Sequence, residues 1–163
     1  MAKVNLFRDF KEFLESLNSA GAKYLLIGGY AVNHHGHRRH TDDLDVWISL
    51  EPATLEKVSK VLQSFAGFPA SKVRPSMLAK PDKVFIFGRE PVRIDILTTP
   101  HGVDFEACYA RRKLVNWDGL TIPLIALKDL KANKKASGRA KDLADLDALF
   151  PSRKRRRKRP LGS

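Results

Sequence analysis

The chain has 163 residues, enough for one domain with a real core and too few for two independent ones, and its 43% hydrophobic and 29% charged residues exclude wholesale disorder. Lysine and arginine number 30 against 18 acidic residues, a formal charge of +12, but seven of those positive charges lie between Arg153 and Arg159, leaving about +5 on residues 1–150. Cys108 is the single cysteine, which excludes an intrachain disulfide and a multi-cysteine zinc site and leads us to expect a reducing, cytoplasmic setting. No apolar run approaches the roughly 20 residues that span a bilayer, so no membrane association is expected. The positive surplus suits RNA and a nucleoside triphosphate about equally, and charge alone does not choose between them.

Leu6, Phe10, Phe13, Leu14 and Leu17 recur at three- and four-residue spacing, which predicts an amphipathic helix over residues 4–19 ending near Gly21. The apolar run Tyr24-Leu25-Leu26-Ile27 reads as a buried strand, broken by Gly28-Gly29 and followed by a short helix from Tyr30 to His35. A polar, basic loop over His34 to His40 leads into a strand from Leu44 to Ile48, and Pro52 opens a helix carrying Leu55, Val58, Val61, Leu62 and Phe65. Pro69 to Pro81 reads as a connection. Val84 to Phe87 and Val92 to Leu97 are strands joined by a turn at Gly88-Arg89-Glu90-Pro91, and Asp118-Gly119 between Lys113–Trp117 and Leu120–Ile122 is the strongest hairpin signal in the chain. Two helices close the sequence, one with Leu127 and Leu130 and one with Leu143, Leu146 and Leu149, parted near Ser137-Gly138. The expected fold is α/β, a mixed, twisted sheet of about five strands flanked by helices with a helical C-terminus closing a cleft. The domain spans residues 1–150, and the like-charged stretch 151–163 is expected to be a disordered basic tail.

Chemistry concentrates in Asp43-Leu44-Asp45-Val46. The period of a strand turns both carboxylates to one face, with Cα atoms roughly 6.6–6.8 Å apart, and sends Leu44 and Val46 into the core. In Val92-Arg93-Ile94-Asp95-Ile96-Leu97 the same alternation buries Val92, Ile94 and Ile96 and turns Asp95 the other way. If the two strands are neighbours, three carboxylates converge, an arrangement that calls for positive charge among them. Oxygen-only ligands favour a hard cation, magnesium by default with manganese as substitute, and two such ions suffice for phosphoryl transfer. Gly28-Gly29, lacking Cβ atoms, lets backbone approach a phosphate closely.

The succession Ile27-Gly28-Gly29, thirteen residues, then Asp43-Leu44-Asp45-Val46 resembles the DNA polymerase beta-like nucleotidyltransferase superfamily. Arg39-His40-Thr41-Asp42-Asp43-Leu44-Asp45, with Leu127-Lys128-Asp129-Leu130 and Lys134 to Leu143, is similar to its minimal, abortive-infection and toxin-type branch, and the resemblance spans roughly residues 22–149. It implies that Gly28 and Gly29 hold the triphosphate, that Asp43 and Asp45 bind both metals, and that Asp95 completes the second site and helps deprotonate the acceptor hydroxyl. It also implies triphosphate or acceptor contacts from Arg39, Thr41, Lys128 and Lys134, while Arg139 and Asp142 suit a structural ion pair between the two final helices. The implied activity is transfer of a nucleoside monophosphate from a nucleoside triphosphate, ATP among the candidates, to an acceptor hydroxyl, with the 3′ end of tRNA as the toxin-type acceptor. A small hydroxylated compound such as an antibiotic, a partner protein, or a cognate antitoxin as binding partner are the alternatives, and a non-catalytic basic RNA-binding module is a further one. Gly29 stands where related branches often carry Ser, which argues against the antitoxin-like branch that modifies a partner protein.

Other motifs have plainer readings. His34, His35, His37 and His40 lack a cysteine or a suitably spaced helical pair and read as a polar loop rather than a zinc site. Phe7, Phe10, Phe13, Phe65 and Phe68 are mostly core by their spacing. Trp47 shares a face with Asp45, so it either packs near a nucleotide or caps the core. The run Arg153 to Arg159 favours nucleic-acid affinity without sequence specificity.

Overall fold

The computed structural model describes residues 6–65 and 73–151. Helix α1 (Arg8–Ala20) buries Phe10, Phe13, Leu14 and Leu17 completely and ends on Gly21, whose φ of 70° is the left-handed cap that glycine adopts without strain. Strand β1 (Tyr24–Ile27) runs straight into α2 (Gly28–His34), which begins on the glycine pair rather than after it. Then come β2 (Asp43–Ile48), α3 (Pro52–Ser64) with its proline in the first turn, and a one-turn α4 (Pro75–Leu78). The hairpin β3 (Val84–Arg89) and β4 (Val92–Leu97) turns at Glu90-Pro91 through a cis peptide. A short α5 (Phe105–Ala110) leads to the hairpin β5 (Lys113–Trp117) and β6 (Leu120–Leu124), then α6 (Leu127–Ser137) and α7 (Ala140–Leu149).

Six strands form one sheet in the order β3-β4-β2-β1-β6-β5. The expected count of about five is corrected to six: all six strand segments read from the sequence join one sheet, the Asp118-Gly119 hairpin adding β5 outside β6; both turn residues take positive φ, as a two-residue turn matched to strand twist requires. The sheet is mixed: β2 lies antiparallel to β1 and parallel to β4, and β1 is parallel to β6. Two helices escaped the sequence reading, α4 inside the expected connection and α5 before β5; neither exceeds six residues, too few for a periodic signal.

Strand alternation divides the sheet into two chemically different faces. Leu44, Val46, Ile48, Ile94 and Ile96 are fully buried on one, where Tyr24 donates its hydroxyl hydrogen bond to Asn18 of α1. Burial of such a side chain contributes about 1.5–3 kcal/mol, so this face anchors β2 and β4 at the centre of the sheet. Their other face carries Asp43, Asp45, Arg93 and Asp95. Farther along it lies Trp47, fully buried, with its indole N–H donating to the Thr98 carbonyl and Phe105 packed edge-on at 5.2 Å. Trp47 therefore caps the core under α5. Phe10 and Phe13 are core as expected, Phe7 is exposed, and Phe68 and the run Arg153 to Arg159 lie outside the described residues. Among the described residues no helix is long and apolar enough to cross a membrane.

Candidate active site

The parallel pairing of β2 with β4 sets Asp43 opposite Arg93 and Asp45 opposite Asp95. Paired residues on adjacent strands point to the same side, so all four charged groups share one face. Arg93 grips Asp95 with a two-pronged fork, Nε and Nη2 each donating at 2.9 Å to separate carboxylate oxygens, and the same Nε lies 3.7 Å from Asp43 Oδ1. Hydrogen bonding to Asp95, reinforced by the carboxylates of Asp43 and Asp45, raises the guanidinium pKa further above its ordinary value. Asp45 is the strained member: burial, then the charges of Asp95 and Asp43, push its carboxyl up to about 7, with Lys134 and Lys141 offsetting part of the rise.

The glycine pair fits tightly against this face. Gly28 has a φ of 69°, and a Cβ built on it would lie 2.0 Å from Asp45 Oδ2. A Cβ on Gly29 would lie 2.3 Å from Thr41 Oγ1 and 3.3 Å from a guanidinium nitrogen of Arg39. Both positions exclude a side chain because Asp45 and Thr41 already occupy the space, which gives the motif a cause in close packing as well as in phosphate access. Asn33 ties the structure together, its amide donating to the carbonyls of Gly29 and Arg39 while its side-chain oxygen accepts from the Arg39 N–H. The loop carrying Arg39 and Thr41 is thereby fastened to α2.

The C-terminal helices hold the same loop from the other side. Arg39 makes a fork to Asp145 at 2.8 and 3.1 Å, and Lys134, only 7% exposed, lies 2.8 Å from Asp142 and 2.9 Å from Asp145. Burial works against charge at Asp142, but hydrogen bonds from Lys134, Ser137 and Arg139 hold its carboxyl down to about 2. Asp145 is lowered in the same way, against burial, by Arg39 and Lys134. The Arg139–Asp142 ion pair expected between the two final helices is present at 2.9 Å, but within the start of α7, from its N-cap residue to its first turn. Asn133 of α6 also donates to the His101 carbonyl in the segment after β4.

Of the residues singled out from the sequence, Gly28, Gly29, Arg39, Thr41, Asp43, Asp45 and Asp95 are gathered around the ends of β1, β2 and β4. Lys134 acts on Asp45 through its charge while its ammonium is bound to Asp142 and Asp145, and Lys128 is exposed on the first turn of α6. Three participants were missed. Arg93 has the parity of Asp95 and was legible from the same alternation; Asn33 bonds Gly29 and Arg39, four and six residues away, through a loop geometry that carries no sequence pattern, and Asp145 meets Arg39 only across 106 residues.

The fit of a divalent cation is tested by one atom and one donor set. Asp43 Oδ1 is buried without a hydrogen-bond partner, and the available ligands are carboxylate oxygens, which suit magnesium or manganese. Among the described residues no three such groups already stand around a cation position, and both Asp95 oxygens accept from Arg93. No histidine cluster suits zinc among them either.

No family model matches the sequence, and no curated protein matches it. Solved structures do. A crystal structure of a Thermotoga maritima protein provisionally assigned to the nucleotidyltransferases superposes with a TM-score of 0.58 at 16% identity, covering 93% of this chain and 92% of that one. An antigenic nucleotidyltransferase-like protein from Paracoccidioides brasiliensis superposes with a TM-score of 0.55 at 16% identity, covering 88% and 73%. The chain has the nucleotidyltransferase fold.

Proposed function

We propose that this protein is a metal-dependent nucleotidyltransferase that moves a nucleoside monophosphate from a nucleoside triphosphate to an acceptor hydroxyl and releases pyrophosphate. The observation that carries the reading is the register of β2 against β4, which sets Asp45 beside Asp95 with Gly28 pressed against Asp45. Asp43, Asp45 and Asp95 would hold magnesium or manganese, which when bound supplies charge neutralisation at the reacting phosphate. Gly28 and Gly29 leave backbone open to the triphosphate, and Arg39 and Thr41 stand beside Gly29 to orient it. Lys128, exposed at the start of α6, is a further triphosphate or acceptor contact, and Lys134 acts from within the charge network.

Asp95 serves the acceptor. It is the carboxylate nearest the open edge of the sheet, opposite Ile86 of β3, which is 57% exposed. Asp95 itself is 7% exposed with both oxygens held by Arg93, so an acceptor hydroxyl arriving from that edge would meet it as proton acceptor once the guanidinium moves aside. Beside it stands Arg93, a cation, which favours a phosphate-bearing acceptor such as an RNA 3′ end over a polycationic compound. Transfer to the 3′ end of tRNA, as in toxin-type enzymes, is the acceptor we propose.

Labelled ATP, GTP, CTP and UTP incubated with magnesium and total RNA test the reading, with small hydroxylated acceptors and co-expressed protein in parallel. Label is expected in RNA with the wild type and in nothing with Asp43→Ala or Asp45→Ala. Transfer surviving in both variants sinks the assignment, and label in a small compound or a protein moves the acceptor. RNA retained with no pyrophosphate released from any mixture would leave only a binding module.

A further inference from the structure

Arg93 is the one cation among the four charged groups that β2 and β4 set on this face. It lies two residues before Asp95 on β4 and directly opposite Asp43 on β2. Its fork fills both oxygens of Asp95 at 2.9 Å, and its Nε reaches within 3.7 Å of the Asp43 oxygen that has no hydrogen-bond partner. One singly charged guanidinium thus spans two carboxylates whose chemistry suits a divalent ion. Its side chain is 31% exposed, so it can leave toward solvent without unpacking the core. Lys134 differs in just this respect: it is 7% exposed and bound to two aspartates away from β4.

We infer that Arg93 is a positioning residue, a tethered counter-ion that holds Asp95 in place in the metal-free protein and is exchanged for a divalent cation when nucleotide arrives. The inference rests on the reading of Asp43, Asp45 and Asp95 as cation ligands. Two consequences follow from electrostatics. A lone cation competes with a guanidinium already seated on the same carboxylates, so the nucleotide-free protein binds metal weakly. A triphosphate adds negative charge beside the site, drawing the cation in and offering the released guanidinium another anion, so loading is coupled to substrate. The free enzyme is thereby kept from filling its Asp95 site with a bare ion, while Asp43 and Asp45 are the first ligands engaged.

Manganese binding to the full chain, followed by the electron paramagnetic resonance signal of free Mn2+ without nucleotide, tests this directly. Arg93→Gln is expected to bind Mn2+ about tenfold more tightly than wild type, and Arg93→Lys, which keeps the charge but not the planar fork, about threefold more tightly. Adding a non-hydrolysable nucleoside triphosphate should shrink both differences. Equal or weaker binding by Arg93→Gln overturns the exchange, since a purely structural arginine would loosen Asp95 and weaken the site. Should Arg93→Gln lack native circular dichroism, Arg93→Lys carries the same test with the same overturning result. The double variant Asp43→Asn/Asp45→Asn separates the two layers: loss of Mn2+ binding there upholds the carboxylate site, and undiminished binding overturns that reading and the exchange with it.

Discussion

Replacing Asp45 with Asn should make the metal-free protein more stable, although it removes a proposed catalytic group. The side chain keeps its shape, so the close approach to Gly28 is preserved. What disappears is a charge that the fold disfavours. A carboxyl raised from 3.8 to about 7 carries a penalty on the order of 4 kcal/mol when ionised, at about 1.4 kcal/mol per pH unit. Solvent screening and side-chain relaxation reduce this, so a gain of about 1–3 kcal/mol at pH 8 is the expected size. The sign follows from linkage. A carboxyl whose folded pKa exceeds its unfolded value contributes no penalty below about pH 4, a growing one between about 4 and 7, and the full one above 7. Urea unfolding of wild type and Asp45→Asn in EDTA at pH 4.5 and pH 8 measures it, at about the two ends of that window. The two proteins should nearly coincide in the acid and separate at pH 8 with Asn the more stable. A variant no more stable than wild type at pH 8, or a gap independent of pH, would refute the account of crowded, half-buried carboxylates.

Two further outcomes are expected. Gly28→Ala should cost about 1–3 kcal/mol by urea unfolding and abolish transfer, because the new Cβ would need the space of Asp45 Oδ2 and the residue sits at a φ of 69°; retained activity would show that Asp45 need not stay where it is. Asp145→Ala should destabilise by about 3 kcal/mol, since it frees Arg39 and leaves the buried Lys134 with Asp142 alone, while Asp145→Asn loses less; both are read by denaturant midpoint, and an alanine variant as stable as wild type would mean that α7 does not hold the loop.

Much of this architecture is legible in residue order because the informative signals are local. Alternation in Asp43-Leu44-Asp45-Val46 and Val92 to Leu97 gives strand, buried face and reactive face together, and both strands appear where they were expected, β2 starting one residue earlier. The Asp118-Gly119 turn and the Gly138 break, with a φ of 64°, are likewise properties of a few neighbouring residues. Strand neighbours are different. That β4 lies beside β2, in parallel and with Asp45 level with Asp95, is a long-range pairing that the local hairpin signal between β3 and β4 does not specify. The same holds for Asp145, which meets Arg39 across 106 residues. Lys134 looked like a ligand contact by its place in a motif, whereas the fold sets it between two aspartates.

The two groups of charge around the site are built for opposite purposes. Asp142 and Asp145 are nearly inaccessible, and each is answered by two cations, Asp142 by Lys134 and Arg139 and Asp145 by Arg39 and Lys134, so the buried charges of this group are balanced within it. That group is permanent, and together with Asn33 it clamps the loop carrying Arg39 and Thr41 between α2 and α7. On the sheet face the balance is reversed: three carboxylates are answered by one arginine, which forks onto Asp95, reaches toward Asp43 and is partly open to water. Such an excess of negative charge is unfavourable in isolation, as the raised pKa of Asp45 records. It is tolerable because β2 and β4 are held from behind by the apolar face of the sheet, so the repulsion cannot relax by moving the strands. The fold thus spends core stability to keep an anionic surface ready for positive charge, and the rigid clamp beside it would fix where the proposed triphosphate lies.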